Sequence, residues 1–210
     1  MEHQIITRAI DIYHIPNYLT YDESVNLWQE LFQILTLKPK YDTSSSENAF
    51  EYKPIMIYGK QCIQNRSTFY CGEVDFKYSG STLPAKAMPP CIEKLCQKLN
   101  IYLSQTFGIS VQLNSCLINL YMDGTENIGH HSDGTGYKLG SSNMVVTLSL
   151  GTTRTFQLKC KGTGTTSDIP LANTDMVIML GNSQKLTTHS ILKDSSVTQP
   201  RMSLTFRHLI

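Results

Sequence analysis

The chain has 210 residues, of which 40% are hydrophobic and 17% charged, and its formal net charge is +1. This predicts one globular domain with a hydrophobic core, and the near-zero charge gives no electrostatic argument for binding nucleic acid or a membrane. Since no apolar run approaches the roughly 18 residues of a membrane span and the first residues lack a secretory signal pattern, we expect an intracellular protein with no membrane partner.

Two amphipathic helices are predicted in the first half of the chain. Within residues 22–35 apolar side chains recur at helical spacing, and Thr20 with Glu23 matches a capping box at the start. A second helix is predicted for residues 89–107, because two prolines open an apolar periodic segment and Gly108 follows it.

After the second helix the pattern changes to short β-rich runs separated by Gly, Asn, Asp and Ser clusters. These runs cover residues 112–121, 144–150, 155–158, 175–180 and 202–208. Helices followed by strands favour an antiparallel sandwich or barrel over βαβ units. We therefore predict an α+β, mainly β fold: a jelly-roll core (a double-stranded β-helix) with flanking N-terminal helices. Such a core has a mouth at which side chains from distant strands converge.

An H-x-D triplet, His131-Ser132-Asp133, lies between the first two of these β-rich runs. Alternate residues of an extended strand face the same side, so the imidazole and the carboxylate can reach one metal ion. With His189 as third ligand they form the two-histidine, one-carboxylate set of non-haem iron(II) oxygenases, which leaves open coordination positions. The alternative for the triplet is an exposed turn with a local hydrogen bond.

Three other histidines compete with His189 for the third position, namely His14, His130 and His208. His130 is adjacent to His131, so on a strand it should face the other way. We expect it to take no part in the site.

The C-terminal segment predicts a binding site for an anion. Arg201, Ser203, Thr205 and Arg207 alternate with apolar residues and therefore share one strand face. Two guanidinium groups on one wall need an anion nearby, and a dicarboxylate cosubstrate would satisfy both through bidentate pairing. The alternatives are a solvated face or salt bridges to acidic residues of the protein.

Asn119 and Tyr121 alternate with apolar residues in the same way on the strand before the triplet. An amide and a phenol at these positions could hydrogen-bond the same cosubstrate. The alternative is that both side chains form hydrogen bonds within the protein at the end of a strand and bind no ligand.

Together these motifs resemble the AlkB-like family of iron(II)/2-oxoglutarate dioxygenases. The resemblance extends from about residue 55 to the C-terminus, and its upstream part looks like the duplex-repair branch. It rests on Tyr58-Gly59-Lys60, Asn65-Arg66, Tyr70, Tyr78-Ser79-Gly80, Asn119-x-Tyr121-x-Asp123-Gly124, Ile128-Gly129-x-His131-x-Asp133, Ser149-Leu150-Gly151 with Arg154 and Phe156, His189-Ser190, and Arg201-x-Ser203-Leu204-Thr205-Phe206-Arg207.

The resemblance implies an Fe(2+), 2-oxoglutarate and O2-dependent enzyme. It assigns iron to His131, Asp133 and His189. Residues expected to hold 2-oxoglutarate are Asn119, Tyr121, Arg201, Ser203 and Arg207. The family's chemistry is oxidative demethylation of N-alkylated bases in DNA or RNA, as in DNA repair, with release of formaldehyde, succinate and CO2. The expected partner is alkylated nucleic acid with its base flipped into the pocket, and the protein is expected to be a monomer.

For the substrate, the resemblance places Tyr78 at the position of the family's stacking aromatic. Phe76 lies two residues earlier on the same predicted strand face, and the alternative for both is an ordinary core aromatic. Arg66 is expected to contact phosphate or else to form a structural ion pair. Gly134 and Thr135 follow Asp133, where relatives often carry acidic residues that help to read the base.

The single domain is expected to have three parts. Residues 1–54 form a helical and loop part, residues 55–110 a nucleotide-recognition region with a helix, and residues 111–210 the catalytic jelly roll.

Two further departures bear on the resemblance. Ser203 replaces the asparagine of the family's R-x-N-L-T-F-R signature, and Asp194-Ser195-Ser196 stands where duplex-acting relatives often carry basic residues. The missing basic run favours single strands or RNA over duplex DNA. A protein or lipid substrate, or a catalytically silent nucleic-acid-binding module, remains as an alternative.

Overall fold

Two antiparallel sheets form the core of the protein in the computed structural model, which describes residues 4–7, 10–42, 44, 46–57, 59–78, 81–133 and 143–210. In chain order the elements are β1 (Gln4–Thr7), β2 (Ile12–Ile15), α1 (Tyr21–Ile34), β3 (Thr36–Leu37), β4 (Ala49–Phe50), β5 (Pro54–Ile57), β6 (Lys60–Ile63), β7 (Ser67–Gly72), β8 (Phe76–Tyr78), β9 (Ser81–Leu83), α2 (Pro90–Phe107), β10 (Ser115–Tyr121), β11 (Ile128–His131), β12 (Val145–Gly151), β13 (Arg154–Cys160), β14 (Thr166–Leu171), β15 (Met176–Met179), α3 (Ser183–Leu186), β16 (Thr187–Ile191) and β17 (Arg201–Arg207). The major sheet has the strand order β1-β2-β15-β12-β17-β10-β7, and the minor sheet the order β11-β16-β13-β14. This is the predicted mainly β jelly-roll architecture.

Strand β17 determines which side chains face the helices and which face the site. It lies between β10 and β12, and its apolar residues Met202, Leu204 and Phe206 are fully buried in the main core with both long helices. The intervening residues point to the opposite face, where the minor sheet packs, because side chains alternate along a strand. The polar face predicted for residues 201–207 therefore lies inside the jelly roll.

The two predicted helices are confirmed with boundaries shifted by about one residue. At the start of α1 the Thr20 hydroxyl accepts from the Glu23 backbone N–H and the Glu23 carboxylate accepts from the Thr20 N–H, as the capping box requires. Helix α2 ends at Gly108, whose φ of 65° is accessible to glycine without strain. Both helices bury one apolar stripe against the major sheet.

The prediction of a helical and loop part for residues 1–54 was incomplete. Strands β1 and β2 extend one edge of the major sheet, where His14 and Asp175 form an ion pair of 3.0 Å between β2 and the turn before β15. Strand β7, from the middle part of the chain, forms the opposite edge. Within the described residues, no helix is long and apolar enough to cross a membrane.

Candidate active site

Three side chains from separate places in the minor sheet converge on one point. His131 is the last residue of β11 and pairs with His189 on β16, and Asp133 lies in the turn that follows β11. One ligand atom from each residue lies within 4.8 Å of the other two. The prediction that His131 and Asp133 share a strand was wrong, because the strand ends before Asp133, but the turn brings both to the same side.

Neighbouring groups fix the orientation of each ligand. The His131 Nδ1 lies 2.9 Å from the Gly129 carbonyl oxygen, so Nδ1 carries the hydrogen and Nε2 is available to a metal ion. The Asp133 backbone N–H donates to the Gln184 side-chain oxygen at 2.8 Å. Phe156 stacks on His189 with ring centroids 5.2 Å apart and an interplanar angle of 18°. These contacts hold the ligands in place before a metal ion binds.

The protonation states at this site suit a divalent cation. Burial lowers the pKa of His131 and lowers that of His189 to about 3, so both imidazoles are neutral at pH 7. Burial alone would raise the pKa of Asp133, but Arg207, His189 and His131 outweigh it and hold that pKa well below its usual range. Two neutral imidazoles and one carboxylate are the protonation states that metal ligation requires.

The competing histidines lie elsewhere. His130 faces away from the site, with its Nε2 at 3.0 Å from the Gln157 side-chain oxygen, which confirms its predicted orientation. His14 is bound to Asp175. The His208 Nδ1 lies 2.6 Å from the Gln112 carbonyl oxygen. His189 is the histidine that joins the triplet.

A narrow pocket between the two sheets connects the three ligands to the polar face of β17. It is lined by Arg66, Leu117, Asn119, Tyr121, Ile128, His131, Asp133, Thr147, Phe156, His189, Ile191, Arg201, Ser203, Thr205 and Arg207. Three of these residues are arginines and one is an aspartate. The described lining therefore has an excess of two positive charges before any metal ion binds.

Arg201 is only partly compensated by the described residues. It is fully buried, and its Nε donates to the Ser149 hydroxyl at 3.0 Å, but neither Nη1 nor Nη2 has a hydrogen-bond partner among the described residues. Burial lowers the pKa of Arg201 to about 10, so the group is still charged at pH 7. Buried unpaired donors of this kind are rare in folded proteins and indicate a ligand. Two parallel N–H groups match a carboxylate.

The second arginine of the predicted clamp has a protein partner. The Arg207 Nη2 donates to Asp133 Oδ1 at 2.9 Å. The alternative of a salt bridge to an acidic residue of the protein therefore describes Arg207 and does not describe Arg201. Asn119, Tyr121 and Ser203 line the same pocket, and the Asn119 side-chain oxygen accepts from Arg66 Nε at 2.6 Å.

The described residues among those predicted to bind substrate, Phe76 and Arg66, are buried and do not form a surface for a base or a phosphate. Phe76 is fully buried, stacks on Tyr70 at 5.3 Å and lies 5.1 Å from the Arg207 guanidinium, so it occupies a core position, as the alternative held. Arg66 is buried in the pocket wall, bonded to Asn119, and is not placed for a surface phosphate. The side chain of Tyr78, and Gly134 with Thr135, lie outside the described residues.

Sequence reasoning missed the structural roles of three residues that support the site, namely Ser149, Gln184 and Arg154. The Arg154 guanidinium is buried and donates to the carbonyl oxygens of Asp123, Gly124, Glu126 and Leu192. It also lies 5.7 Å from the centre of the Tyr121 ring, and Arg201 lies 5.6 Å from the same ring. Arg154 thus ties two loops together beside the pocket.

A buried two-histidine, one-carboxylate centre inside a jelly roll, beside an uncompensated guanidinium, defines a non-haem iron oxygenase with a carboxylate cosubstrate. Comparison with known proteins agrees, since the model of the 2OG-Fe(II) oxygenase superfamily matches residues 11–207. The chain belongs to that superfamily, whose members use Fe(2+), 2-oxoglutarate and O2. Within it the chain is AlkB-like.

The AlkB-like assignment rests on similarity to two curated relatives. Mouse alpha-ketoglutarate-dependent dioxygenase alkB homolog 3 is 34% identical over 154 residues, which are 69% of this chain and 51% of that protein. Human DNA oxidative demethylase ALKBH2 is 26% identical over 191 residues, 86% of this chain and 68% of that protein. This chain spans about half the length of the first of these relatives.

A solved structure agrees at the level of the fold. The structure of OsALKBH1 has a TM-score of 0.67 and covers 99% of this chain and 100% of that one at 18% identity.

Proposed function

We propose that this protein is an iron(II)- and 2-oxoglutarate-dependent oxidative demethylase of N-alkylated bases in nucleic acid. The observation that carries the proposal is the presence in one buried pocket of a preformed ligand triad and of the Arg201 guanidinium, whose Nη1 and Nη2 have no hydrogen-bond partner among the described residues. The nucleic-acid substrate is supported by the likeness to ALKBH2, which is named a DNA oxidative demethylase.

The donor set fits both groups that the family implies. His131, Asp133 and His189 would hold iron, and Arg201 would hold the distal carboxylate of 2-oxoglutarate, with Tyr121 and Ser203 beside it. When bound, iron and 2-oxoglutarate would supply the activation of O2, so that one oxygen atom hydroxylates an N-methyl group and the other enters succinate as 2-oxoglutarate loses CO2. The resulting hemiaminal releases formaldehyde and restores the base.

The residues of the chain perform the remaining tasks. Ser149 fixes the Arg201 side chain, and Arg207 keeps the Asp133 carboxylate ionised and aimed into the pocket. Apolar side chains of Ile128 and Ile191 close the wall between the sheets and keep water away from the reacting atoms. A preorganised, dry site confines the oxidising chemistry to the substrate.

A panel assay tests the proposal directly. Formaldehyde and succinate are measured from the iron-loaded protein with methylated single-stranded DNA, duplex DNA and RNA. We expect formaldehyde from at least one of these, and no succinate from His131→Ala or Asp133→Ala proteins that remain folded by circular dichroism. Full turnover in either variant would remove the metal assignment, and succinate without formaldehyde from any nucleic acid would remove the substrate assignment.

No described contact favours the protein, lipid or silent-module alternatives. A silent module would have lost a metal ligand or the cosubstrate arginine, and both are assembled here.

A further inference from the structure

A second, larger cavity lies beside the active site and contains none of the metal ligands. Its volume is about 680 Å³, and it lies between the segment 40–54, strand β6, strand β7 and the end of β9. Thr68 of β7 lines this cavity and is the ladder partner of Asn119, which lines the active-site pocket. Arg66, just before β7, lines the active-site pocket as well. The two spaces are therefore one strand apart.

Four aromatic residues, Tyr41, Tyr52, Phe69 and Tyr70, line the cavity. Phe69 and Tyr70 are buried in core clusters, so Tyr41 and Tyr52 are the rings that can stack on a ligand. Tyr41 is 79% exposed at the rim, which leaves its ring available for contact. The Tyr52 hydroxyl donates to Glu126 at 2.7 Å, so that ring is held in place. Flat rings on a cavity wall are surfaces on which nucleobases of any sequence stack.

Two ammonium groups in the cavity have no carboxylate partner among the described residues. The Lys40 Nζ is bound to the Asn65 side-chain oxygen at 3.0 Å and lies 5.6 Å from the centre of the Tyr52 ring. The Lys86 Nζ is bound to the Glu47 backbone oxygen at 2.5 Å and lies 5.3 Å from the Phe69 ring. Each cation is thus held beside an aromatic ring.

The three carboxylates of the lining face four ammonium groups, those of Lys40, Lys53 and Lys86 in the lining and that of Lys38 outside it, which leaves one excess positive charge. Glu51 is bound by Lys38 and Lys53, and Asp42 accepts from the Ser44 backbone N–H. Glu47 is the remaining acidic side chain of the lining. This balance suits one phosphate group and does not suit a long polyanion.

We propose that this cavity binds a nucleotide next to the target nucleotide on the same strand, its base on the aromatic wall and its phosphate on Lys40 or Lys86. The proposal rests on the proposed function and deepens it. The cavity is within the roughly 300–1,000 Å³ of small-ligand sites, and a single strand can reach two spaces that are one β-strand apart. A base held in this cavity is unpaired. The substrate is therefore single-stranded, or opened at two adjacent nucleotides.

The test compares substrates that do and do not possess a neighbouring nucleotide. Formaldehyde release by the iron-loaded protein is followed with a methylated mononucleotide and with a short methylated single strand. The variants are Tyr41→Ala, Lys40→Met and Lys86→Met. Matched controls are Tyr21→Ala, an equally exposed tyrosine on α1, and Lys94→Met, an exposed lysine on α2.

For the single strand we expect KM to rise about tenfold in Tyr41→Ala and severalfold in each lysine variant. Kinetics with the mononucleotide should match the wild type in all of them, and both control proteins should match it with both substrates. An unchanged KM for the single strand in all three variants would overturn the proposal. So would an equal rise for mononucleotide and single strand.

A binding measurement separates this proposal from the proposed function. Fluorescence anisotropy with an unmethylated labelled single strand requires no turnover. If the wild type releases no formaldehyde from any nucleic acid, the proposed function fails, and the anisotropy still decides whether the cavity binds a nucleotide. Weaker binding by Tyr41→Ala and Lys86→Met than by the controls would support nucleotide binding in the cavity, whereas equal affinity would contradict it.

Discussion

Replacing Arg201 by methionine should weaken 2-oxoglutarate binding and at the same time stabilise the ligand-free protein. The guanidinium is fully buried with Nη1 and Nη2 unpaired among the described residues, so its burial is favourable only when a carboxylate is bound. Methionine keeps an unbranched apolar stem of similar reach and removes the charge. Affinity and stability should therefore change in opposite directions.

The magnitudes follow from the environment of the guanidinium. The fall of the Arg201 pKa from 12.5 to about 10 corresponds to roughly 3 kcal/mol against the charged form. Loss of the Tyr121 ring contact and of the Ser149 hydrogen bond offsets about 1–2 kcal/mol of that gain. We expect a net stabilisation of about 1–2 kcal/mol. Removing one partner of a buried carboxylate pair costs roughly 3–5 kcal/mol, so 2-oxoglutarate affinity should fall by about two to four orders of magnitude.

Arg154→Met is the matched control for this experiment. Arg154 is equally buried, but its guanidinium donates to four backbone carbonyl oxygens, which would lose these hydrogen bonds in the variant. It should destabilise the protein by about 3–5 kcal/mol. Urea denaturation measures both stabilities, and calorimetric titration of the manganese-loaded protein measures 2-oxoglutarate binding. If Arg201→Met destabilised the fold as much as Arg154→Met and left 2-oxoglutarate affinity unchanged, Arg201 would be a structural residue.

Two further predictions concern the metal ligands. Gln184→Ala removes the acceptor for the Asp133 backbone N–H and should lower metal affinity about tenfold or more, as measured by cobalt(II) absorption; unchanged affinity would show that the turn holds without it. The metal-free protein should lose stability as pH falls from about 6.5 towards 3, because His131 and His189 have lowered pKa values when folded and bind protons more readily when unfolded. His189 should contribute a slope of about 1.4 kcal/mol per pH unit between its unfolded and folded pKa values. Urea denaturation of His189→Asn should show a shallower dependence than the wild type, and equal slopes would contradict this assignment.

Much of the fold was predictable because its signals are local. The helix stripes, the capping box and five β-rich runs each lie within one segment, and β10, β12, β13, β15 and β17 were predicted with shifts of one to three residues. Strands β14 and β16 were not predicted, since β16 is five residues long and carries polar site residues, and β14 has mainly exposed polar residues. Strand β11 was predicted around His131 but ends before Asp133. Strands β1 and β2 are also short, and their sheet partners lie far away in the chain.

The parts of the site that depend on the type of a side chain could be predicted from the sequence. The parts that depend on hydrogen bonds to backbone groups far away in the chain could not. The metal triad follows from an H-x-D triplet and a later histidine. The roles of Gln184 and Arg154 could not be read in this way, because their partners are backbone groups 28–51 residues away. Phe76 was misjudged as a residue that contacts the base, since strand alternation gives its face but not how deeply that face is buried.

The three buried arginines differ in how their charges are compensated, and this difference indicates where a ligand binds. A buried guanidinium must be compensated, because leaving it unpaired costs several kcal/mol. Arg154 is compensated by backbone carbonyls, and Arg207 by the Asp133 carboxylate and the Phe76 ring. Among the described residues Arg201 has the Ser149 hydroxyl and the face of Tyr121 as partners. Since Arg201 and the metal ligands line one pocket, we propose that its further partner is an anion that reaches the metal while it holds Arg201. A dicarboxylate with a metal-binding 2-oxo acid at its other end has this form.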